Sequence, residues 1–162
     1  GAEVIIYEQG RVIARGEPLE VFGSPVTLSV ARLTGVENIF EGRVVSKDRE
    51  AGTMTVEVID EEGVCRLDLP YSNKASGEQV KIAIRPGDIL LATEEPRHTS
   101  ARNVLRGRVR SIEHRSDRTV VRVISGTGWT VNITRQAIKD LGLSADREVW
   151  LAIKTFSCYL LD

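Results

Sequence analysis

A chain of 162 residues, 41% of them hydrophobic, can bury a core, and its length suits either one medium domain or two small barrels. A formal net charge of −1 removes any broad attraction for nucleic-acid backbones or acidic membranes and leaves room only for a local anion site. No apolar run approaches the roughly 18 residues of a membrane span, and no basic-then-apolar leader opens the chain, so a soluble cytoplasmic protein is expected. Cys65 and Cys158 lie far apart without metal-ligand spacing, which reads as two half-buried thiols in a reducing compartment. Gly1-Ala2 runs straight into strand-like residues with no initiator Met, so a cut fragment is expected.

In chain order, two β-branched runs at residues 4–7 and 12–15 flank a loop carrying Gly10 and predict a hairpin. Residues 18–22 read as a short helix with Pro18 near its first turn. Ser24-Pro25 offers an N-cap and first-turn Pro for a second helix, on which Val26, Val30 and Leu33 share a face before Thr34-Gly35 stops it. From Asn38 the texture changes to short alternating strands broken by Gly, Asp and Asn, at residues 39–46, 53–59, 64–69, 79–84 and 89–92. A polar, Pro-containing stretch at 93–98 reads as a linker. Strands follow at 105–112, 119–125, 129–133, 148–153 and 159–161, with one helix at 135–141 started by Thr134 and stopped by Gly142.

The two β-rich halves repeat. Gly35-Val36-Glu37-Asn38-Ile39-Phe40-Glu41-Gly42-Arg43-Val44-Val45-Ser46 aligns with Ser100-Ala101-Arg102-Asn103-Val104-Leu105-Arg106-Gly107-Arg108-Val109-Arg110-Ser111, sharing Asn, Gly-Arg-Val and Ser in register. Val80-Lys81-Ile82-Ala83-Ile84-Arg85 aligns likewise with Val149-Trp150-Leu151-Ala152-Ile153-Lys154. The expected fold is mainly β: a hairpin and two helices over residues 1–35, then two five-stranded barrel modules over 36–95 and 96–162.

A phosphate-binding P-loop needs Gly-Lys followed by Ser or Thr, and none of the 14 glycines precedes a Lys, so this chain does not hydrolyse ATP by that route. Gly126-Thr127-Gly128 sits between strands and reads as a hairpin turn, and His98 and His114 lack partners at ligand or triad spacing. Ser100-Ala101-Arg102-Asn103 gathers a hydroxyl, a guanidinium and a carboxamide at a strand entrance, while Lys154-Thr155-Phe156-Ser157 adds an ammonium and two hydroxyls before the last strand. If the first and last strands of a closed barrel are neighbours, these segments converge. Such a lining suits a tetrahedral oxyanion, which accepts hydrogen bonds and donates none. The same residues are also consistent with exposed strand-end charges and a turn serine.

Residues 100–161 resemble a Mop (molbindin-like) domain, through Ser100-Ala101-Arg102-Asn103, Leu105, Gly107, Ile133-Thr134, Leu141-Gly142-Leu143 and Ile153-Lys154. That resemblance implies a molybdate or tungstate site with Ser100, Ala101, Arg102, Lys154 and Thr155 on one side and Thr134 supplied by a partner module. Ala137, where the family often has Ser, and bulky Phe156, where it has a small residue, depart from the pattern. Residues 1–38 resemble the end of ABC-importer ATPases, and residues 38–93 a TOBE (transport-associated OB-like) module with Glu37 and Pro86 at the mouth where the second copy has Arg102 and Thr155. A dianion would be repelled by Glu37, so the first copy reads as scaffold and the second as sensor.

The resemblance implies a homodimeric, non-catalytic sensor carried by an ABC ATPase domain in cis and acting with membrane permease subunits at the inner face of the membrane. It binds molybdate or tungstate, uses no cofactor and inhibits transport when the oxyanion is bound. The rival expectation is a structural dimerisation or protein-docking module without a small ligand. Nucleic-acid binding is disfavoured because aromatics, needed for a stacking platform, are only 5% of the chain.

Overall fold

The computed structural model describes residues 2–23, 27–33 and 35–161. β1 (Val4–Glu8) and β2 (Arg11–Gly16) form the expected hairpin, with Glu8 opposite Arg11. Gln9 and Gly10 between them have φ of 49° and 78°, the paired positive values of a turn whose twist matches that of the strands. α1 (Pro18–Gly23) and α2 (Leu28–Leu33) follow, and Ile6, Val21 and Val30 pack together to join them to the hairpin. The expected cap at Ser24-Pro25, with Val26, and the stop at Thr34 fall outside the described residues.

The rest is built from β3 (Asn38–Asp48), β4 (Thr53–Asp60), β5 (Gly63–Pro70), β6 (Gln79–Ile84) and β7 (Leu90–Ala92), then β8 (Asn103–His114), β9 (Thr119–Ser125), β10 (Thr127–Ile133), α3 (Arg135–Leu141), β11 (Glu148–Ile153) and β12 (Tyr159–Leu161). A 3-10 turn precedes the last strand of each half, at Pro86–Asp88 and Thr155–Ser157. Alternate residues of β4 and β5 are buried, the period of strands with one face on a core.

The sequence repeat has a structural cause at each shared residue. A Cβ on Gly42 would lie 2.6 Å from Val56 Cγ1 and 2.9 Å from the Glu57 carbonyl oxygen, and one on Gly107 would lie 2.6 Å from the Ile124 carbonyl oxygen. The neighbouring strand crosses too close for any side chain there. Immediately afterwards the register slips between Val44 and Ser46 in one copy and between Val109 and Ser111 in the other. These matched bulges bend long strands so that each sheet curls.

The two copies exchange their last strands. One sheet runs β12-β6-β3-β4-β5 and the other β10-β9-β8-β11-β7. β7 ends the first copy yet pairs with β11, Leu91 opposite Leu151, and β12 ends the second copy yet pairs with β6, Leu160 opposite Ile82. A continuous core follows, running from Phe40, Val56 and Ile82 to Trp129, Val131 and Leu151. The rings of Phe40 and Trp129 meet at 4.8 Å with a 55° tilt, a favourable aromatic geometry.

The repeated asparagines lock this exchange. Asn38 Nδ2 donates to the Thr130 carbonyl (2.8 Å) and its Oδ1 accepts from the Thr130 N–H (2.7 Å). Asn103 Nδ2 donates to the Asp68 carbonyl (3.0 Å) and its Oδ1 accepts from the Asp68 N–H (2.7 Å). A carboxamide offers the donor and acceptor that the backbone C=O and N–H of one residue require, and both asparagines are only 3% exposed. Asn103, which the sequence places among mouth donors, instead grips the other copy.

Candidate oxyanion site

Asn103 pairs with Ile153 at the end of the β8–β11 ladder, so Arg102 and Lys154 leave the sheet side by side, one step beyond it. The two segments do converge, but by a different route from the expected meeting of first and last strands. The exchange sends β12 to the other sheet, and β11 is the strand that lies beside β8.

Ser100, Arg102 and Lys154 are exposed, and none makes a side-chain hydrogen bond or ion pair among the described residues. Ala101 is buried, its N–H donating to Thr99 Oγ1 at 3.2 Å. Thr155, in the 3-10 turn after Lys154, is 8% exposed, and its buried Oγ1 has no hydrogen-bond partner. A buried hydroxyl without a partner loses its hydration without recompense, and among the described residues Thr127 Oγ1 and Asn132 Oδ1 share that state. Burial of Thr155 carries no sequence signal, since the residues on either side of it, Lys154 and Phe156, are both exposed. The Asp68 carboxylate is turned to Thr55 Oγ1 (2.8 Å), although Asn103 holds its backbone.

Thr134 lies elsewhere. It caps α3, its Oγ1 accepting from the Ala137 N–H at 3.1 Å, and Gly142 closes the helix with φ 57°. Its O–H proton remains available to a ligand. Ile133 pairs with Thr119, which pairs with His114 at the far end of β8. Thr134 therefore sits near the opposite end of that strand from Asn103, roughly 35 Å along its path. Within one chain the sheet does not bring Thr134 to Lys154.

The first copy's mouth is occupied differently. Arg85, aligned with Lys154, donates from its guanidinium to the Phe22 carbonyl of α1 and lies 5.8 Å from the centroid of the Tyr159 ring. Pro86 is buried, and exposed Glu37 stands where the second copy has Arg102. A cleft of about 540 Å³ lies between the copies, reaching Glu37 at the first mouth and away from the second. Its Arg110 is paired with Glu62 at 2.5 Å, its Arg122 donates to Thr130 Oγ1 at 2.5 Å, and Glu37, Glu41 and Asp60 add negative charge. That wall does not suit a dianion.

Cys65 and Cys158 are more deeply placed than the expected half-burial, at 6% and 3% exposed. Burial first, then nearby negative groups, pushes the Cys65 thiol up to about 11 and the Cys158 thiol up to about 12. Both stay protonated at neutral pH and act as core residues. Among the described residues no cluster of His, Cys, Asp and Glu could hold a metal ion, and no helix is long and apolar enough to cross a membrane.

The chain forms two interlocked, curled five-stranded sheets, with cations at one mouth that are unpaired among the described residues, and residues 99–160 match the TOBE domain family. The chain is 39% identical over 158 residues to a molybdate/tungstate import ATP-binding protein, WtpC, of Pyrococcus abyssi, covering 96% of this chain and 41% of that protein. It is 30% identical over 155 residues to a molybdenum import ATP-binding protein, ModC, of Rhizobium johnstonii, covering 94% of this chain and 42% of that protein. The crystal structure of the cytoplasmic molybdate-binding protein ModG with molybdate bound superposes with a TM-score of 0.65 at 26% identity, covering 77% of this chain and 95% of that one. Along its length the chain is thus similar to the C-terminal part of molybdate/tungstate import ATP-binding proteins, and it spans about two fifths of the length of these relatives. It is the TOBE/Mop part and not the ATPase domain.

Proposed function

We propose that this chain is the oxyanion-sensing regulatory part of a molybdate/tungstate importer ATPase. The observation that carries the reading is the second mouth, where exposed Ser100, Arg102 and Lys154 have no side-chain partner among the described residues and adjoin the orphaned hydroxyl of Thr155. Donors outnumber acceptors there, as a dianion that only accepts hydrogen bonds requires. The similarity to a molybdate-binding protein and to molybdate/tungstate import proteins supports the choice of oxyanion. Thr134, at the far end of β8, contributes from a second chain, so that one ligand is shared across a homodimer. In the parent protein, at the cytoplasmic face of the membrane, ligand holds two regulatory parts together in the resting arrangement of the ATPase and its permease. Transport is inhibited because the ligand binds that arrangement better than the closed one.

Two facing cationic mouths repel each other, and a dianion between them removes the repulsion. Molybdate should therefore raise the association constant of the dimer, as linkage requires of a ligand shared by two chains. Sedimentation across a dilution series with and without molybdate measures this. A monomer at every concentration, with a binding curve that ignores protein concentration, contradicts the shared site. Phe156, 82% exposed beside the mouth, favours the rival docking module, for which the dimer would form equally well without the oxyanion.

A further inference from the structure

Both mouths are tied to a common strand. Only Cys158 separates the 3-10 turn carrying Thr155 from β12, and the Cys158 thiol donates to the Lys154 carbonyl at 3.7 Å. β12 then runs along β6 in the other copy's sheet, Tyr159 opposite Ala83 and Leu161 opposite Lys81. Leu161 and Ala83 are buried with Ala31 of α2 and with Val36, and Tyr159 packs on the same cluster. The Tyr159 ring also faces the Arg85 guanidinium, which holds the Phe22 carbonyl of α1. Arg85 is the repeat counterpart of Lys154, so the scaffold copy uses its cation on a backbone oxygen of the N-terminal helices.

We propose that Arg85, Tyr159 and the Phe22 carbonyl form a latch through which occupancy of the Lys154 loop sets how firmly α1 and α2 are held on the barrels. The inference rests on the oxyanion reading and adds to it the path by which a bound anion reaches the segment leading to the ATPase domain. Its physical basis is covalent continuity, a shared β ladder and one buried cluster, so ligand that orders the Thr155–Ser157 turn also orders the start of β12, against which Arg85 lies. Arg85 is a positioning residue and touches no ligand. A device of this kind works only if the latched arrangement binds the anion better than the unlatched one.

Hydrogen exchange of the whole chain, with and without saturating molybdate, tests it. In the parent chain molybdate should slow exchange by roughly tenfold both at residues 155–161 and in α1 and α2. Arg85→Ala should bind molybdate more weakly by up to about tenfold, the reciprocal of that coupling, and at saturation keep the protection at 155–161 yet lose the ligand-dependent part in the helices, with Arg85→Lys recovering some of both. A merely structural role for Arg85 would loosen the helices equally with and without molybdate, and that result overturns the latch. Protection confined to 155–161 in the parent chain also overturns it and leaves the oxyanion reading standing. Absence of both binding and protection removes the site itself and the latch with it.

Discussion

Arg102→Ala and Lys154→Ala should each weaken molybdate binding by roughly tenfold or more, because a hydrogen bond to a charged group contributes about 1.5–3 kcal/mol. Both side chains lie at the end of the β8–β11 ladder without partners of their own among the described residues, so removing either leaves no other group unpaired. The fold should be unchanged, which separates loss of affinity from loss of structure. Glu37→Ala, at the first mouth, should change affinity little. Calorimetric titration of each variant checks this, and a larger effect from Glu37 than from Lys154 would place the site in the other copy.

Gly126→Ala should be severe for the fold and for binding alike. Gly126 occupies the tight turn between β9 and β10 with φ +68°, and a Cβ there would lie 2.1 Å from the Val64 carbonyl oxygen in the first copy. Left-handed backbone strain and a clash with main chain that cannot step aside combine to about 3 kcal/mol or more. For a chain of this size that lowers the melting temperature by roughly 6–12 °C. Gly87 is the matched control, since a Cβ there meets nothing within 4 Å. Thermal unfolding of the two variants should separate them widely; equal melting temperatures would mean that the β4–β5 and β9–β10 turns do not press on each other.

Much of this architecture can be read from the sequence. The shared Asn, Gly-Arg-Val and Ser expose the repeat, and the alternation of apolar residues gives five strands in each copy. Thr134 and Gly142 bound α3 as their chemistry requires. The strand exchange is invisible, because β7 and β12 are three residues long and alternation specifies which face of a strand is buried, not which sheet receives it. For the same reason Asn103 reads as a mouth carboxamide when its partner is the Asp68 peptide, 35 residues away. The cationic pair was legible as two segments of matching chemistry. The β8–β11 neighbourhood that unites them, and the buried, unpartnered hydroxyl of Thr155, emerge only from the folded chain.

The strand exchange also sets both mouths on one core. Each mouth is framed by a 3-10 turn that leads into a strand of the opposite sheet, so the first copy's Arg85 and the second copy's Lys154 share one continuous core behind them.

The most direct test of the oxyanion reading is calorimetric titration of the purified chain with molybdate, tungstate, sulfate and phosphate under one buffer. Molybdate and tungstate should bind far more tightly than sulfate, and phosphate should compete poorly with either. Equal affinity for sulfate, or no heat with any of the four anions, would contradict the assignment of this chain as a molybdate or tungstate sensor.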